Sequence, residues 1–434
     1  METRLPELED RLQERYVKLV QAHQHAATRV AAGPSHKPAQ AEGASQRQAA
    51  WRFFKNPKVT LPVLVEPLRQ EARKALADCP APCVLAIHDW CTLAYGDHDS
   101  KTDRAVLTHE HDVGYDLATV LLVDAHNGDT LAPADLNLRT ADAVHSTRAE
   151  APAYNPDHLS QVLPAMEQSK TWGLPRPVVH IIDREADSVG HYRAWHEAGH
   201  FFLVRGDERL VMWREEEHLL SEVVAKLEAE DAFKKSREVL YQGREAWQEV
   251  AEVEVVLHRP AKHRRDGKQV EVPGPALPLR LVVARVRDEE GELLAQWLLL
   301  SNVPVAWADA SLLALWYYWR WQIETYHKLL KSLGQEIEHW QQENGLAVAK
   351  RLLVAAMACC AVWLLARLKT PEAEELKEVL VELSGRQMKT GCAFTVPALL
   401  AGLHVFQAFF AALAHTTLER LHFLGSLLIP FFSG

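Results

Sequence analysis

Two short apolar runs, each followed directly by an aspartate, constrain the fold of this 434-residue chain more than any other feature. Val84–His88 precedes Asp89, and Val178–Ile182 precedes Asp183. Apolar runs of this length, bounded by turn residues, are typical of strands that are buried on both faces of a sheet. We therefore predict two central strands, each of which ends in a carboxylate.

The segments around these runs predict a mixed α/β sheet. Ala118–Asp124 and Thr130–Ala134 flank His126-Asn127-Gly128, which is a strong hairpin signal. The pattern of Val189–Ala198 is helical, and Phe201–Arg205 is another apolar run of strand length. A chain that combines a hairpin with alternating strands and helices in this way is typical of a mixed α/β fold.

The pattern divides the chain into five regions, and the sheet core is split between two of them. An insertion rich in strand patterns separates the two parts of the core, and a helical region flanks the core on each side. In chain order, these are the N-terminal helical region 1–75, the first part of the core 76–205, the β-rich insertion 206–305, the second part of the core 306–370 and the C-terminal helical region 371–434.

Hydrophobic periodicity predicts the further elements of these regions. An acidic helix opens the insertion, and a turn at Glu290-Gly291 joins its last two strands. The predicted helices are 7–30, Glu215–Glu230, Leu312–Leu333, Leu346–Leu368 and Pro397–Leu424; the predicted strands of the insertion are Glu252–Arg259, Leu279–Arg287 and Leu293–Asn302; residues 33–48 are a predicted linker.

The charge distribution limits how the chain could contact nucleic acid. A net charge of −10 argues against a protein that coats nucleic acid indiscriminately. The charge is uneven, because residues 1–75 hold 13 Lys and Arg against 8 Asp and Glu. Contacts with nucleic acid would therefore come from local basic surfaces.

The longest apolar run, Leu352–Ala366, is shorter than the roughly 18–20 residues that a membrane-spanning helix needs. No signal-peptide pattern opens the chain. We expect a cytoplasmic protein that makes no contact with a membrane and whose apolar run forms a buried helix.

Four polar residues share one face of the predicted helix Leu312–Leu333. At about 100° per residue, Tyr317, Arg320, Glu324 and Lys331 fall within a stripe roughly 60° wide. The stripe could be a salt-bridged solvent face, since Arg320 and Glu324 are an i,i+4 pair. It could equally bring an acid, two bases and a phenol to a functional site.

Three acids suit a two-metal site. Asp89 and Asp183 end predicted strands, and carboxylates at the carboxyl ends of adjacent strands face a shared crevice. Glu324 would supply a third carboxylate from a helix. Hard divalent cations prefer such oxygen ligands, and a pair of them promotes in-line phosphoryl displacement. Single acids also end many strands for structural reasons, so each aspartate by itself leaves both interpretations open.

The motifs around these acids resemble those of the insertion-sequence-four family of bacterial DDE transposases, which move DNA by cutting and pasting. The family's helix signature, Tyr-two-Arg-three-Glu-six-Lys, matches with every interval intact. A D-R-E-A-D stretch begins at Asp183, and the weaker similarities lie at Arg52–Val59 and Gln296–Val305. The resemblance runs from about Trp51 to Leu368.

The resemblance implies an RNase H-like catalytic core and assigns roles to individual residues. The three acids Asp89, Asp183 and Glu324 would be the catalytic residues and would bind two Mg²⁺ ions, or Mn²⁺ in their place. The residues implied to contact DNA are Tyr317, Arg320 and Lys331 at phosphates, Trp297 at a base flipped out near the cleaved end, and Arg52, Lys55 and Lys58 in the N-terminal region.

The segment Trp51–Lys58, which contains these last three cations, has two interpretations. It interleaves three aromatic and three cationic side chains, so it could be a helix end that packs its aromatics inward or an edge that contacts DNA. Trp90 and Cys91 also depart from the small hydroxyl residues that often follow the family's first aspartate.

The resemblance also implies the partners. Region 1–75 would bind the terminal inverted repeats of a mobile element, target DNA would bind later, and the C-terminal region could pair two copies in a synaptic homodimer. Water would first release a 3′-hydroxyl, which would attack the opposite strand to form a hairpin. Two alternatives keep the fold: an RNase H-like nuclease that is not devoted to transposition, and an inactivated transposase that acts as a DNA-binding repressor. A scaffolding protein would leave the polar stripe unexplained.

Overall fold

In the computed structural model, the described residues form one large mixed sheet with helices on both faces. The described residues are 5–25, 41–107, 109–150, 152–154, 158–265, 268–331, 334–388 and 392–426.

Helices make up both ends of the described chain and cover the sheet between them. They are α1 Asp10–His25, α2 Ala41–Lys55, α3 Leu61–Leu76, α4 Val162–Ser169, α5 Val189–Glu197, α6 Leu220–Ala229, α7 Ala310–Tyr318, α8 Trp321–Leu330, α9 Gly345–Arg367, α10 Pro371–Leu383, α11 Val396–Leu413 and α12 Leu418–Ser426.

The strands fall between α3 and α7. They are β1 Val84–Ala94, β2 Ala105–Val106, β3 Val113–Asp124, β4 Thr130–Arg139, β5 Val144–Ser146, β6 Val178–Ile182, β7 Phe201–Arg205, β8 Leu210–Trp213, β9 Glu216–Leu219, β10 Lys234–Tyr241, β11 Arg244–Leu257, β12 Ala261–Arg265, β13 Lys268–Val272, β14 Leu277–Asp288 and β15 Leu293–Ser301.

Five strands form the core of the sheet in the order β4-β3-β1-β6-β7. β1, β3 and β4 are antiparallel neighbours, whereas β6 runs parallel to β1 and β7 runs parallel to β6. An RNase H-like core has this arrangement: three antiparallel strands come first in the chain, and the next two strands run parallel to the first one, here β1. The predicted α/β fold class is therefore confirmed.

The strands between β7 and α7 extend this same sheet. β15 pairs antiparallel with β7, and the order continues through β14, β11, β8 and β9, while β10 pairs with the other part of β11. β12 and β13 form a separate two-stranded ribbon. The pairing of β15 with β7 makes this part of the sheet continuous with the core.

Two hydrophobic clusters fix the helices on opposite faces of the sheet. The larger cluster includes buried side chains of α1, α3, α7, α8 and α9, and the smaller one includes those of α4, α5 and α6. The helix predicted at Leu346–Leu368 is confirmed as α9. It is the one helix in the described ranges that is long and apolar enough to cross a membrane, and most of it is buried inside the protein.

The prediction that β1 stops at Asp89 is wrong. β1 continues to Ala94, because the residues after Asp89 go on pairing with β3 as far as Gly114. Only the pairing with the shorter β6 stops before Asp89, at Ile87. By contrast, β6 and β7 occupy the predicted ranges.

The predicted helix Leu312–Leu333 is two helices, α7 and α8. At the junction the backbone tightens: the N–H groups of Arg320, Gln322 and Ile323 each donate to the carbonyl three residues earlier. Such 3₁₀-type bonds within a helical segment often mark functional positions. Hydrophobic periodicity predicts one continuous helix here, because one tightened turn hardly changes the spacing of the apolar residues.

Three other predicted elements differ in type or are divided. Residues 41–48 of the predicted linker belong to α2, whose alanines favour helix; residues 33–40 lie outside the described ranges. The predicted helix Glu215–Glu230 begins as β9, which pairs with β8. The predicted helix Pro397–Leu424 divides into α11 and α12, because the Thr417 side chain accepts the Arg420 N–H and starts a new helix.

A buried histidine fastens α1 to the residues that follow α8. His23 Nδ1 donates to Gln335 Oε1 at 2.6 Å, and Gln335 Nε2 donates to the His23 carbonyl at 3.1 Å. The Nε2 atom of His23 accepts from Arg351 Nε at 3.4 Å. Burial and the nearby Arg351 charge lower the pKa of His23 to about 3, so the ring stays neutral in the folded protein.

We expect His23 to make the folded protein acid-sensitive. Its pKa is lower in the folded state than in the unfolded state, so its contribution to stability is present above about pH 6.5 and is lost progressively as the pH falls towards 3. One such histidine costs roughly 2 kcal/mol between pH 6.5 and pH 5. In urea unfolding followed by tryptophan fluorescence, His23→Gln should lose less stability over this interval than the wild type.

The matched control is His111→Gln, because the His111 ring is already exposed to solvent in the folded protein. This variant should keep the wild-type pH dependence. An unchanged pH dependence in His23→Gln would show that the His23 ring is protonated within the fold.

Candidate active site

The register of β1 and β6 brings two of the predicted acids together. Ile87 pairs with Ile181 across these parallel strands, and Asp89 and Asp183 each follow two residues later. They therefore emerge side by side at the same edge of the sheet. α8 packs on β1 and carries Glu324 to this edge.

All three acids surround one guanidinium group, that of Arg320. Arg320 Nη2 lies 3.0 Å from Glu324 Oε1 and 3.4 Å from Asp183 Oδ2, and Nη1 lies 3.7 Å from Asp89 Oδ2. The guanidinium is buried, whereas the carboxylates are partly exposed. Glu324 Oε1 and Asp183 Oδ2 both lie near Arg320 Nη2. These two oxygens therefore cannot be farther apart than the sum of their distances to that nitrogen.

Two neighbours orient Asp183. Its Oδ1 atom accepts the Arg184 N–H at 2.7 Å and the Tyr317 hydroxyl at 2.9 Å. Burial raises the pKa of the Tyr317 hydroxyl, so this group remains a neutral donor. Tyr317 thereby fixes one oxygen of Asp183 and leaves the other directed to Arg320.

The environments of the two aspartates shift their pKa values in opposite directions. Burial raises the pKa of Asp89 to about 6, although the Trp90 N–H and Arg320 oppose this shift. Burial also acts to raise the pKa of Asp183, but the Arg184 N–H, Arg320 and Tyr317 outweigh it and lower the pKa. A cation placed among the carboxylates would favour the ionised form of Asp89.

Lys331 borders this cluster, and the contacts described for it are with other residues. Its ammonium donates to the Thr92 carbonyl and lies 3.2 Å from Glu338 Oε1. Glu338 also accepts the Ala94 N–H at 2.9 Å, which ties it to the end of β1. The Lys331 N–H still donates to the His327 carbonyl, so the helical turn reaches this residue, two turns after Glu324.

Trp297 lies at the same edge of the sheet as the acids. Leu299 of β15 pairs with Arg205, the last residue of β7. Trp297, two residues earlier, is therefore beyond the carboxyl end of β7, as Asp183 is beyond that of β6. Its ring is partly buried, packs on the sheet face that α7 and α8 cover, and lies 6.4 Å from the Tyr241 ring.

The predicted N-terminal cations lie on the surface of α2 and the turn that follows it. Phe53 and Phe54 are buried beneath them, so the aromatic pair packs inward as one interpretation proposed. Arg52 is exposed. Lys55 lies 2.9 Å from Glu343, and Lys58 forms an exposed ion pair with Glu9.

Two exposed aromatic residues beside Arg320 were not singled out from the sequence. Tyr318 is 56% exposed and Trp321 is 54% exposed. The Arg320 guanidinium lies 5.4 Å from the Trp321 ring, and the Arg237 guanidinium lies 5.0 Å from the Tyr318 ring. These two rings offer faces on which a ligand can stack beside Arg320, but the sequence alone does not show which aromatics of a helix face solvent.

The three carboxylates are suitable ligands for divalent cations, although in this structure they surround Arg320 and are not arranged around a metal position. Three carboxylates offer hard oxygen ligands and up to three negative charges against the single charge of Arg320. Among the described residues, no group of three or more His, Cys, Asp or Glu side chains is already placed to hold a metal ion. The guanidinium lies within 3.7 Å of one oxygen of each carboxylate, so a cation bound to those oxygens would compete with Arg320.

The sequence matches the model of a family described as "Transposase DDE domain" over residues 98–361, which is well over half of the chain. The chain belongs to this DDE transposase family. The matched range of the transposase includes Asp183 and Glu324, whereas Asp89 lies just before it.

Other comparisons give less information about this transposase. A cryo-EM structure of a piggyBac transposase synaptic complex with hairpin DNA aligns with 94% of this chain and 74% of that chain, at 10% sequence identity and a TM-score of 0.36. No match was found among curated proteins. The family assignment rests on the sequence match alone.

The second aspartate of the D-R-E-A-D stretch has a structural position in the transposase. Asp187 is buried and accepts the Tyr192 hydroxyl at 2.5 Å and the Asp207 N–H at 2.7 Å, and it pairs with Arg209. It thus joins the loop after β6 to the loop after β7. Since Asp183 opens the first of these loops, Asp187 holds the Asp183 backbone in place.

We expect Asp187→Ala to destabilise the transposase by about 3 kcal/mol, because it leaves the Arg209 charge and the Tyr192 hydroxyl without their acceptor. Chemical denaturation would measure the loss. As a control, Glu230→Ala removes the exposed partner of Arg214 and should change stability little. Equal stabilities of the two variants would rule out a structural role for Asp187.

Proposed function

We propose that this DDE transposase cuts DNA at the ends of a mobile element, with Asp89, Asp183 and Glu324 as the ligands of two Mg²⁺ or Mn²⁺ ions. The observation that supports this assignment most strongly is the convergence of these three acids on one guanidinium. Residues from two strands and a helix meet there although they are far apart in the sequence.

The three carboxylates would serve as ligands and countercharge. When bound, two divalent ions supply activation of the attacking oxygen and neutralisation of the leaving oxygen during in-line phosphoryl displacement. Tyr317 would keep Asp183 oriented through its hydrogen bond. Arg320 and Lys331 would bind phosphates beside the cut strand, since both cations border the site.

The DNA would contact two further groups of side chains. Exposed Tyr318 and Trp321 provide aromatic faces on which bases can stack. Arg52, Lys55 and Lys58 would contact the backbone of the terminal repeat through their exposed charges. DNA binding would then exchange the Lys55–Glu343 ion pair for a contact with phosphate.

The finer assignment to the insertion-sequence-four family rests on the intact intervals from Tyr317 through Arg320 and Glu324 to Lys331. Cut-and-paste transposition through a DNA hairpin follows from that assignment. So do a synaptic homodimer and later joining to target DNA. The same assignment places the protein in the bacterial cytoplasm, on the nucleoid when it is bound to DNA.

A nuclease that is not devoted to transposition could use the same three acids. Only a transposase requires a particular DNA end, so cleavage of a duplex with the element's inverted repeat would be compared with cleavage of a random duplex. An inactivated, DNA-binding repressor would bind the repeat and cut neither duplex.

We expect Glu324→Gln to reduce Mg²⁺-dependent cleavage of an end-containing duplex by more than about 1,000-fold, because the amide supplies neither the charge nor the ligand strength of the carboxylate. Binding of the duplex should remain, since Glu324 makes no contact with DNA in this proposal. Glu230→Gln alters an exposed acid of the insertion and provides the control. Normal cleavage by Glu324→Gln would refute the assignment of the three acids.

We expect Trp297→Ala to slow hairpin formation while first-strand nicking continues. Extruding a base costs a few kcal/mol, and stacking on an aromatic ring offsets part of that cost. Denaturing gels that separate nicked, hairpin and open ends would measure both steps. Trp213→Ala, which changes a buried tryptophan of β8, should not affect the two steps selectively. A normal hairpin yield in Trp297→Ala would assign that ring to the core alone.

A further inference from the structure

We propose that Arg320 couples metal binding to DNA binding. In the structure its guanidinium offsets part of the charge of the three carboxylates; once divalent ions neutralise them instead, Arg320 is released to bind a DNA phosphate. This inference rests on the proposed function, because it requires Asp89, Asp183 and Glu324 to be the metal ligands.

The contacts of Arg320 are those of a shared and replaceable counterion. It makes one hydrogen bond to the acids, at 3.0 Å to Glu324, whereas its distances to Asp183 and Asp89 are 3.4 and 3.7 Å. Its buried Nε finds no hydrogen-bond partner among the described residues. A guanidinium has five N–H donors and binds best through paired hydrogen bonds, which none of these carboxylates provides.

Divalent cations and Arg320 would compete for the same carboxylate oxygens. The Nη atoms lie 3.0–3.7 Å from one oxygen of each acid, which is the space that a cation bound to all three would need. Two positive charges at such a separation in a partly buried site repel strongly. Binding of the ions therefore favours a position of Arg320 outside the cluster.

The surroundings of Arg320 provide such a position. Its guanidinium already lies 5.4 Å from the ring of Trp321, which is more than half exposed. The backbone at Arg320 is the tightened turn between α7 and α8, so the side chain is not enclosed by regular helix on both sides. A short movement along the Trp321 ring would carry the charge from the acids to the surface.

The coupling has to act in both directions. Without divalent ions, a DNA phosphate must compete with three carboxylates for Arg320; with the ions bound, that competition is removed. Thermodynamic linkage then requires DNA to strengthen ion binding by the same factor. Coupling between two ligands typically changes affinity by about 5–150-fold.

Lys331 provides a matched comparison. It is also a cation beside the site, but its partners are Glu338 and the Thr92 carbonyl. Neither of these is a proposed metal ligand. Its contribution to DNA binding should therefore be the same with and without divalent ions.

The experiment measures binding of a fluorescein-labelled duplex that ends, already cut, at the inverted repeat flanking the reading frame. Fluorescence anisotropy would give the Kd with and without Mn²⁺ at constant ionic strength. We expect Mn²⁺ to tighten wild-type binding about tenfold. Arg320→Gln should bind more weakly and lose most of this gain, whereas Lys331→Gln should bind more weakly but retain it.

A second measurement, Mn²⁺ binding without DNA by titration calorimetry, supplements the first. Arg320→Gln should bind Mn²⁺ more tightly than the wild type, because the competing guanidinium is gone. Arg320→Lys keeps a positive charge and should bind Mn²⁺ with intermediate affinity, which preserves the test if the glutamine variant does not fold.

The outcomes separate the inference from the function on which it rests. If the wild type binds Mn²⁺ and cuts ends, but neither Arg320 variant changes the Mn²⁺ affinity or the metal-dependent gain in DNA binding, the coupling is wrong and the proposed function stands. If the wild type binds no Mn²⁺ at this site, both are wrong.

Discussion

The site depends on one electrostatic arrangement, three carboxylates held around the Arg320 guanidinium. Asp89, Asp183 and Glu324 come from β1, the end of β6 and α8, and like charges this close repel one another in a partly buried place. Arg320 offsets part of that repulsion, and burial still raises the pKa of Asp89. The fold therefore maintains a site with an excess of negative charge, and a divalent cation is the natural partner of such a site.

The sheet explains how such distant residues meet. Parallel pairing of β1 with β6 sets Asp89 beside Asp183, and the longer β1 continues past them to pair with β3 alone. The strands before α7 extend the same sheet through β15 and place Trp297 at the same edge. Asp187 ties together the loops that follow β6 and β7. The edge that carries the three acids is thus fixed by backbone pairing and by the buried side chain of Asp187.

Much of this could be predicted from the sequence, and the limits have physical causes. The apolar runs of β6, β7 and α9 are continuous and bounded by turn or polar residues, so their composition defines them. The end of β1 depends on its pairing with β3, and β9 forms because it pairs with β8. Such pairings between separate segments cannot be seen in a local sequence pattern. The three acids were predicted from strand ends and helix spacing. The position of Arg320 at their centre was not, because a tightened turn and tertiary contacts determine it.

The central claim is that the three acids are ligands for divalent ions. Anomalous diffraction from crystals grown with Mn²⁺ tests it most directly. We predict anomalous peaks bounded by Asp89, Asp183 and Glu324, with the Arg320 guanidinium displaced from their midst. Mn²⁺ bound only elsewhere, with Arg320 still between the three carboxylates, would contradict the account.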